Sequence, residues 1–184
     1  MNIFDAICHS FSTIATGGFS SRNASIAFFD NPQIELVIAI FMLMASINFT
    51  LHYRVWVERR LKFIFADIEL KCLLSIIGVA TLAILCFTMF NGGIDSTTLR
   101  KIVFQVISIT TTTGFTVDDF PNWLPLPQLI ILALMFIGGC TGSTSGGLKN
   151  LRIFLIFKVV GREFQRMVER RGIFAIRLGD QVIP

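Results

Sequence analysis

Charge is what this sequence has least of: 15% of its 184 residues are Asp, Glu, Lys or Arg, against 53% apolar, and the mean hydropathy is +0.71. That balance lies far outside what a soluble domain of this length needs to bury a core, and it reads as a membrane protein. Histidine is scarce as well. His9 and His52 are the only two, and neither stands at ligand or triad spacing from a cysteine or carboxylate, so no catalytic constellation and no enzyme is expected. Cys8, Cys72, Cys86 and Cys140 fall within apolar or candidate pore segments, with neither paired metal spacing nor the polar loops of a disulfide scaffold, and read as small packing residues. No basic stretch precedes an apolar core at the start, so no cleavable leader is expected. The glycine-rich run ending at Gly147 continues Leu148-Lys149-Asn150, whereas a phosphate-cradling Walker loop needs lysine directly after its last glycine. No cofactor is expected. The net charge of +4 does not point to nucleic acid, because the basic residues flank apolar runs rather than an aromatic-interleaved polar face.

What is present is a polar island between membrane-grade segments. Thr111-Thr112-Thr113-Gly114-Phe115-Thr116 has four consecutive threonines, counting Thr110, and its pattern occurs earlier as Thr16-Gly17-Gly18-Phe19-Ser20. An offset of 96 residues aligns Gly18 with Gly114, Ser12 with Ser108, Thr16 with Thr112, Phe19 with Phe115 and Ser20 with Thr116. Non-helical backbone inside a bilayer must be covered by protein or line water, and when it lines water its carbonyls are free to hold a cation. Glycine leaves room for those carbonyls to converge. Each stretch follows a segment of half-bilayer length, Ile3 to Ile14 and then Ser96 or Thr97, as cap, to about Thr110, which reads as a short re-entrant helix aiming the negative end of its dipole at the stretch.

Between and after them lie longer apolar runs. Asn31-Pro32 supplies an N-cap and a first-turn proline for a spanning helix over Ile34 to Leu51, within which Asn48 is expected to bond a neighbouring helix. Cys72 to Phe90 is a second span, ended by Asn91-Gly92-Gly93. Trp123 to Cys140 begins a third, broken by Gly138-Gly139-Cys140-Thr141-Gly142-Ser143-Thr144-Ser145-Gly146-Gly147 before the apolar pattern resumes from Leu148 to Val160. Thirteen of the sixteen Lys and Arg fall in Arg54 to Lys71 or from Lys149 onward, which places both on the cytoplasmic side, and only Arg22, Arg100 and Lys101 fall outside. The tail from Gly161 alternates charge as a surface helix does. Asp118 and Asp119 follow the second polar stretch, either as an acidic mouth that concentrates cations or as ordinary turn formers. The fold class is therefore an all-α membrane protein of helix/re-entrant pore loop/helix repeats with a glycine-broken third spanning helix. Its divisions are a pore loop and second helix over 1–57, a cytoplasmic connection over 58–71, a complete repeat over 72–160 and a basic cytoplasmic segment over 161–184. Composition and repeat leave open a cation pore, a coupled secondary transporter binding a solute at the broken helix, and a non-conducting membrane scaffold.

Three groups of residues decide among these. Phe4-Asp5-Ala6-Ile7 leading through His9-Ser10-Phe11 to Gly17-Gly18-Phe19-Ser20, then Thr113-Gly114-Phe115-Thr116, and Phe136-Ile137-Gly138-Gly139-Cys140-Thr141-Gly142-Ser143 followed by Gly146-Gly147-Leu148-Lys149, together resemble the membrane subunit of the Trk/Ktr/HKT superfamily of potassium transporters, most closely the TrkH/TrkG type of bacteria. The resemblance implies four helix–pore loop–helix repeats around one pore, of which this chain holds the loop and second helix of repeat two and all of repeat three. It implies Gly18 and Gly114 as filter glycines, with Thr16, Gly17, Thr112 and Thr113 supplying further carbonyls for potassium. Gly138, Gly139, Thr141, Gly142, Ser143, Gly146, Gly147 and Lys149 then belong to an intramembrane gate. It also implies the remaining repeats of the same subunit, a homodimer, a TrkA-type nucleotide-binding regulatory subunit and the lipid bilayer as partners. The expected location is the bacterial inner membrane, as a multi-pass protein.

Overall fold

Asn31 accepts from the backbone N–H of Gln33 at 2.9 Å, which with Pro32 in the first turn starts a helix where the sequence predicts one. The computed structural model describes residues 1–59, 67–92, 95–119, 122–168, 176–178 and 181–183. Arg60 and Lys62 of the expected basic connection, Gly93 of the expected terminator, and Arg170 and Arg171 of the tail lie outside them. In chain order the helices are α1 (Ile3–Ile14), a 3₁₀ turn (Ser25–Phe29), α2 (Pro32–Ser46), α3 (Phe49–Trp56), α4 (Ile68–Gly92), α5 (Ser96–Thr110), α6 (Pro125–Met135) and α7 (Asn150–Val168). Among the described residues the remaining regular elements are two three-residue strands, β1 (Ile176–Leu178) and β2 (Gln181–Ile183), paired antiparallel in the later part of the tail, where the sequence predicts a surface helix. The early tail is helical as expected, because α7 runs on past Val160 to Val168.

α4 is the one described helix long and apolar enough to cross a membrane by itself, and only 17% of its most apolar window is buried. A core helix of a soluble protein would be covered; α4 offers Val79, Leu82 and Phe90 to its surroundings, as a lipid-facing or subunit-facing helix does. The expected span over Ile34 to Leu51 is not one helix. It breaks after Ser46 and restarts at Phe49, bent by 103°, and Asn48 does not reach a neighbouring helix but caps α3 by accepting from Thr50 N at 2.8 Å. Such a break frees the last carbonyls of α2, which hydrocarbon cannot solvate. Each finds a donor: Leu43 O takes the Ser46 hydroxyl at 2.7 Å, Met44 O the His52 ring at 2.8 Å, Ala45 O the Thr144 hydroxyl at 3.1 Å and Ser46 O the Cys140 N–H at 2.9 Å. The expected third span is likewise helical only over Pro125–Met135.

α5 sits at the centre. Phe104 and Ile107 pack with Ile38, Ala39 and Met42 of α2, with Ile26 of the 3₁₀ turn and with Phe115 and Val117. Ile102, Val106 and Ile109 pack with Ala80 and Ile84 of α4 and Ile131 and Leu134 of α6. At the 96-residue offset, Ala6, Ser10 and Thr13 of α1 are the counterparts of Ile102, Val106 and Ile109, yet they line an open groove of about 480 Å³ with Val37 and Phe41 of α2. In the second hairpin α4 fills that place.

The three basic residues outside the two basic segments are each paired with an acid. Arg22 pairs with Asp5 at 2.9 Å, Arg100 with Glu35 at 3.0 Å and Lys101 with Asp118 at 3.2 Å. Two of these pairs are one feature written twice, since Lys101 and Asp118 stand 96 residues after Asp5 and Arg22 with the charges exchanged. In both hairpins the pair clasps the short helix to the exit of the polar stretch. Asp118 also accepts from Trp123 Nε1 at 3.0 Å, and Asp119 from Asn122 at 2.7 Å, so both aspartates are bonded within the turn. Asp95, rather than Ser96 or Thr97, occupies the N-cap position of α5, with the Thr97 hydroxyl donating to its carboxylate at 2.8 Å.

Burial raises the Asp118 carboxyl, but the bonds from Trp123 and Lys101 outweigh it and hold the group below its ordinary 3.8. The clasp therefore contributes fully above that value and is lost as pH falls through the lower folded one. Replacing Asp118 with Asn is expected to cost about 0.5–1 kcal/mol in thermal melting at neutral pH. The gap to wild type closes as the pH is taken below 3.8.

Candidate functional site

The two polar stretches have one backbone. α1 ends with Ala15 N bonded to Phe11 O at 2.9 Å, Thr16 N to Thr13 O at 3.1 Å and Gly17 N to Ser12 O at 2.8 Å. α5 ends with Thr111 N on Ile107 O, Thr112 N on Ile109 O and Thr113 N on Ser108 O, all at 2.9 Å. Every donor and acceptor is displaced by the same 96 residues. After that, 17–20 and 113–116 run on outside helix and strand. The turn is made by Thr16 and Thr112, at φ 50° and 58°, and again by Gly18 and Gly114, at φ 69° and 86°. For glycine this conformation is free; for a β-branched threonine it is strained by about 1–3 kcal/mol.

The stretches meet. A Cβ built on Gly18 would lie 2.0 Å from the carbonyl oxygen of Thr113, so Gly18 is packed directly on the second stretch, while a Cβ on Gly114 would touch nothing within 4 Å. Their phenylalanines diverge in the same way: Phe115 is fully buried, 5.7 Å from the His9 ring, and Phe19 is 81% exposed. The second stretch thus abuts the first, and the surfaces by which each would meet further copies are open.

Residues outside the expected set hold the stretches in place. His9 Nδ1 lies 2.6 Å from Asp5 O and Nε2 2.8 Å from Ser20 Oγ. A carbonyl only accepts, so Nδ1 carries the proton, and in the neutral ring Nε2 accepts the serine hydroxyl. His9 is a strut between the helix and the exit of the first stretch. Its sequence signal is weak: at the repeat offset it matches Gln105, a different residue that is also fully buried. In the second stretch Ser108 Oγ donates to Phe115 O at 2.7 Å. Thr116 N donates to Ser25 Oγ at 3.2 Å, and Thr116 O accepts from Ala27 N at 3.2 Å.

The glycine-rich loop lies across this site. Gly138 N donates to Leu148 O at 2.8 Å, closing the loop at its base, where a Cβ on Gly138 would come within 2.0 Å of Gly146 O. Gly139 fits against Ser46 O and Ser145, and Gly142 O accepts from Phe49 N at 3.0 Å. Ser143 Oγ donates to Cys140 O at 2.6 Å, and Lys149 Nζ donates to Ser145 O. Two bonds run from the loop to the polar stretches: the Thr16 hydroxyl donates to Thr144 O at 3.0 Å, and Gly146 N donates to Thr112 Oγ1 at 2.7 Å. Gly147, at φ 64°, rests beside the Thr112 methyl. Glu69, at the base of α4, accepts from Thr141 N at 2.6 Å and, through its backbone carbonyl, from Asn150 Nδ2 at 3.0 Å. Glu69 has no sequence signal, being one acid among several in a charged connection. Of the expected loop residues, Gly146 and Gly147 meet Thr112, Gly139 and Gly142 meet the α2–α3 break, Thr141 is held by Glu69, and Gly138, Ser143 and Lys149 bond within the loop; among the described residues no group of His, Cys, Asp or Glu is placed to hold a metal ion.

Comparison with known proteins gives a consistent picture. A family model described as a cation transport protein, TrkH, matches residues 1–183. The chain is 44% identical over 189 residues to the Trk system potassium uptake protein TrkH of Salmonella typhimurium and 33% identical over 185 residues to the Trk system potassium uptake protein TrkG of Escherichia coli, each match taking in 100% of this chain and 38% of the relative. The crystal structure of the potassium transporter TrkH from Vibrio parahaemolyticus is similar with a TM-score of 0.94 at 37% identity, over 100% of this chain and 40% of that one. The chain thus spans well under half the length of these relatives.

The contrast between the two glycines is measurable in the 184-residue chain. Gly114→Ala should cost about 1–2 kcal/mol, the strain of its backbone alone, whereas Gly18→Ala adds a collision with Thr113 O and should cost at least twice as much in detergent melting. Equal losses would contradict the packing described.

Proposed function

Because this chain belongs to the TrkH family of cation transport proteins, we propose that it forms part of a potassium uptake transporter in which the ion crosses a filter of backbone carbonyls. Thr16, Gly17 and Gly18 supply one side of that filter and Thr112, Thr113 and Gly114 another. The observation that carries the reading is the doubled backbone: two stretches, each with one left-handed threonine and one left-handed glycine and with the same helix-end bonds, packed Gly18 against Thr113. Helix ends direct carbonyls and a negative dipole at a common point, which suits a cation and repels an anion. Two stretches enclose an ion on two sides only. The open face of Gly114, the exposed Phe19 and the uncovered groove on α1 are the surfaces that further repeats of the complete subunit would cover.

The loop from Gly138 to Lys149 serves as the gate. It is held to its neighbours by hydrogen bonds from several elements, to Ala45, Ser46, Phe49, Glu69, Thr16 and Thr112, so its release is a concerted step that breaks those bonds together. The basic segments ending near Arg59 and around Arg162 and Arg166 are cytoplasmic in this reading and are the faces on which a TrkA-type nucleotide-binding subunit would act. A pair of complete subunits in a bacterial inner membrane, with potassium as cargo and no resident cofactor, completes the assembly. The rival reading, a secondary transporter with a solute at the broken helix, finds less support, because the loop's polar groups are engaged by Ala45, Ser46, Phe49 and Glu69 rather than left for a solute.

The test is potassium and sodium uptake by cells carrying the complete subunit with Gly114 replaced by Ala or Ser. Uptake should fall sharply or lose its preference for potassium; unchanged, selective uptake would contradict the filter.

A further inference from the structure

Thr16 and Thr112 are the only residues of the two stretches whose side chains bond the glycine loop, and they are also the non-glycine residues forced into left-handed backbone there. We infer that these two hydroxyls are the ties through which the position of the glycine loop sets the geometry of the filter, so that loop opening and filter shape are coupled through Thr112 and, more weakly, Thr16. The inference rests on the filter-and-gate reading above and adds to it which atoms join the two parts.

The coincidence of strain and tie is the core of the argument. A threonine adopts positive φ only when its surroundings over-determine it. On one side, helix-end bonds from Thr16 N to Thr13 O and from Thr112 N to Ile109 O fix the backbone. On the other, the hydroxyl is fixed by the loop. Release of the loop removes the second constraint from the residue that precedes the carbonyls of Thr113 and Gly114, or of Gly17 and Gly18, and those carbonyls are free to rotate. Thr112 and Thr16 are positioning residues in this scheme and act through their neighbours.

The two ties differ in strength for a reason visible in the geometry. Thr112 Oγ1 accepts a backbone N–H at 2.7 Å, a bond that needs no choice of proton position. The Thr16 hydroxyl has one proton and two acceptors, Ala15 O at 2.8 Å and Thr144 O at 3.0 Å, so its tie to the loop is shared. Losing Thr112 should matter more.

The test uses the full-length subunit with Cys140, which is buried in the loop, as its sole cysteine. Thr112→Val keeps the shape and removes the acceptor; Thr112→Ser keeps the hydroxyl. Thiol-reagent modification of Cys140 should be about fivefold faster in Thr112→Val, as expected for one lost hydrogen bond, less changed in Thr16→Val and restored toward wild type in Thr112→Ser. The potassium-to-sodium permeability ratio should shift in the same variant, and the shift should vanish when residues 142–146 are also deleted, because both loop partners, Thr144 and Gly146, are then gone. An unchanged Cys140 rate overturns the inference, as does a permeability shift that persists without the loop. Faster Cys140 modification with unaltered permeability also overturns it, provided Gly114→Ala still abolishes selectivity. If Gly114→Ala leaves selectivity intact, the filter reading fails instead, and the Cys140 rate alone judges the tie.

Discussion

A backbone N–H or C=O in hydrocarbon must find a partner inside the protein or reach water, and this requirement organises the whole structure. Each departure from helix is answered. Where α2 stops at Ser46, four carbonyls in succession are met by Ser46 itself, His52, Thr144 and Cys140. Where α6 stops at Met135, the glycine loop closes on itself through Gly138 and Leu148 and leans the N–H groups of Cys140, Thr141, Thr144 and Gly146 on Ser46, Glu69, Ala45 and Thr112. The two polar stretches are where, in the proposed reading, carbonyls converge on a cation.

The same requirement explains why the break in α2 and the break after α6 occur together. Two of the four donors that meet the freed α2 carbonyls, Thr144 and Cys140, belong to the loop after α6, so each break supports the other. Helix-to-helix packing in a bilayer has no large hydrophobic gain to draw on. Close approach through glycine, as at Gly138 and Gly18, and mutual hydrogen bonding therefore carry more of the specificity than they would in a water-soluble core.

Much of this was legible in the residues. Ile3 to Ile14 is a helix over its whole predicted length, the second short helix ends at Thr110 as expected, and the offset that pairs Gly18 with Gly114 also pairs their hydrogen bonds. The break at Ile47 was not legible, because apolar residues continue on both sides and no glycine or proline marks it; it is set by Cys140 and Gly142, about 95 residues away. The equivalence of Asp5–Arg22 and Lys101–Asp118 was hidden because the charges are exchanged, so residue matching sees two differences where the structure has one clasp. Phe19 and Phe115 show the converse. They match in sequence, yet one is exposed and the other buried, since what covers a residue depends on its spatial neighbours and not on its own repeat.

The measurement that bears most directly on the central claim is the location of a heavy monovalent cation, such as rubidium or thallium, by anomalous scattering in crystals of the full-length subunit. The account predicts a peak among the carbonyl oxygens of Thr16, Gly17, Thr112 and Thr113, reduced when Gly114 is replaced. A peak confined to the glycine loop or the outer aspartates, with none between the two stretches, would contradict it.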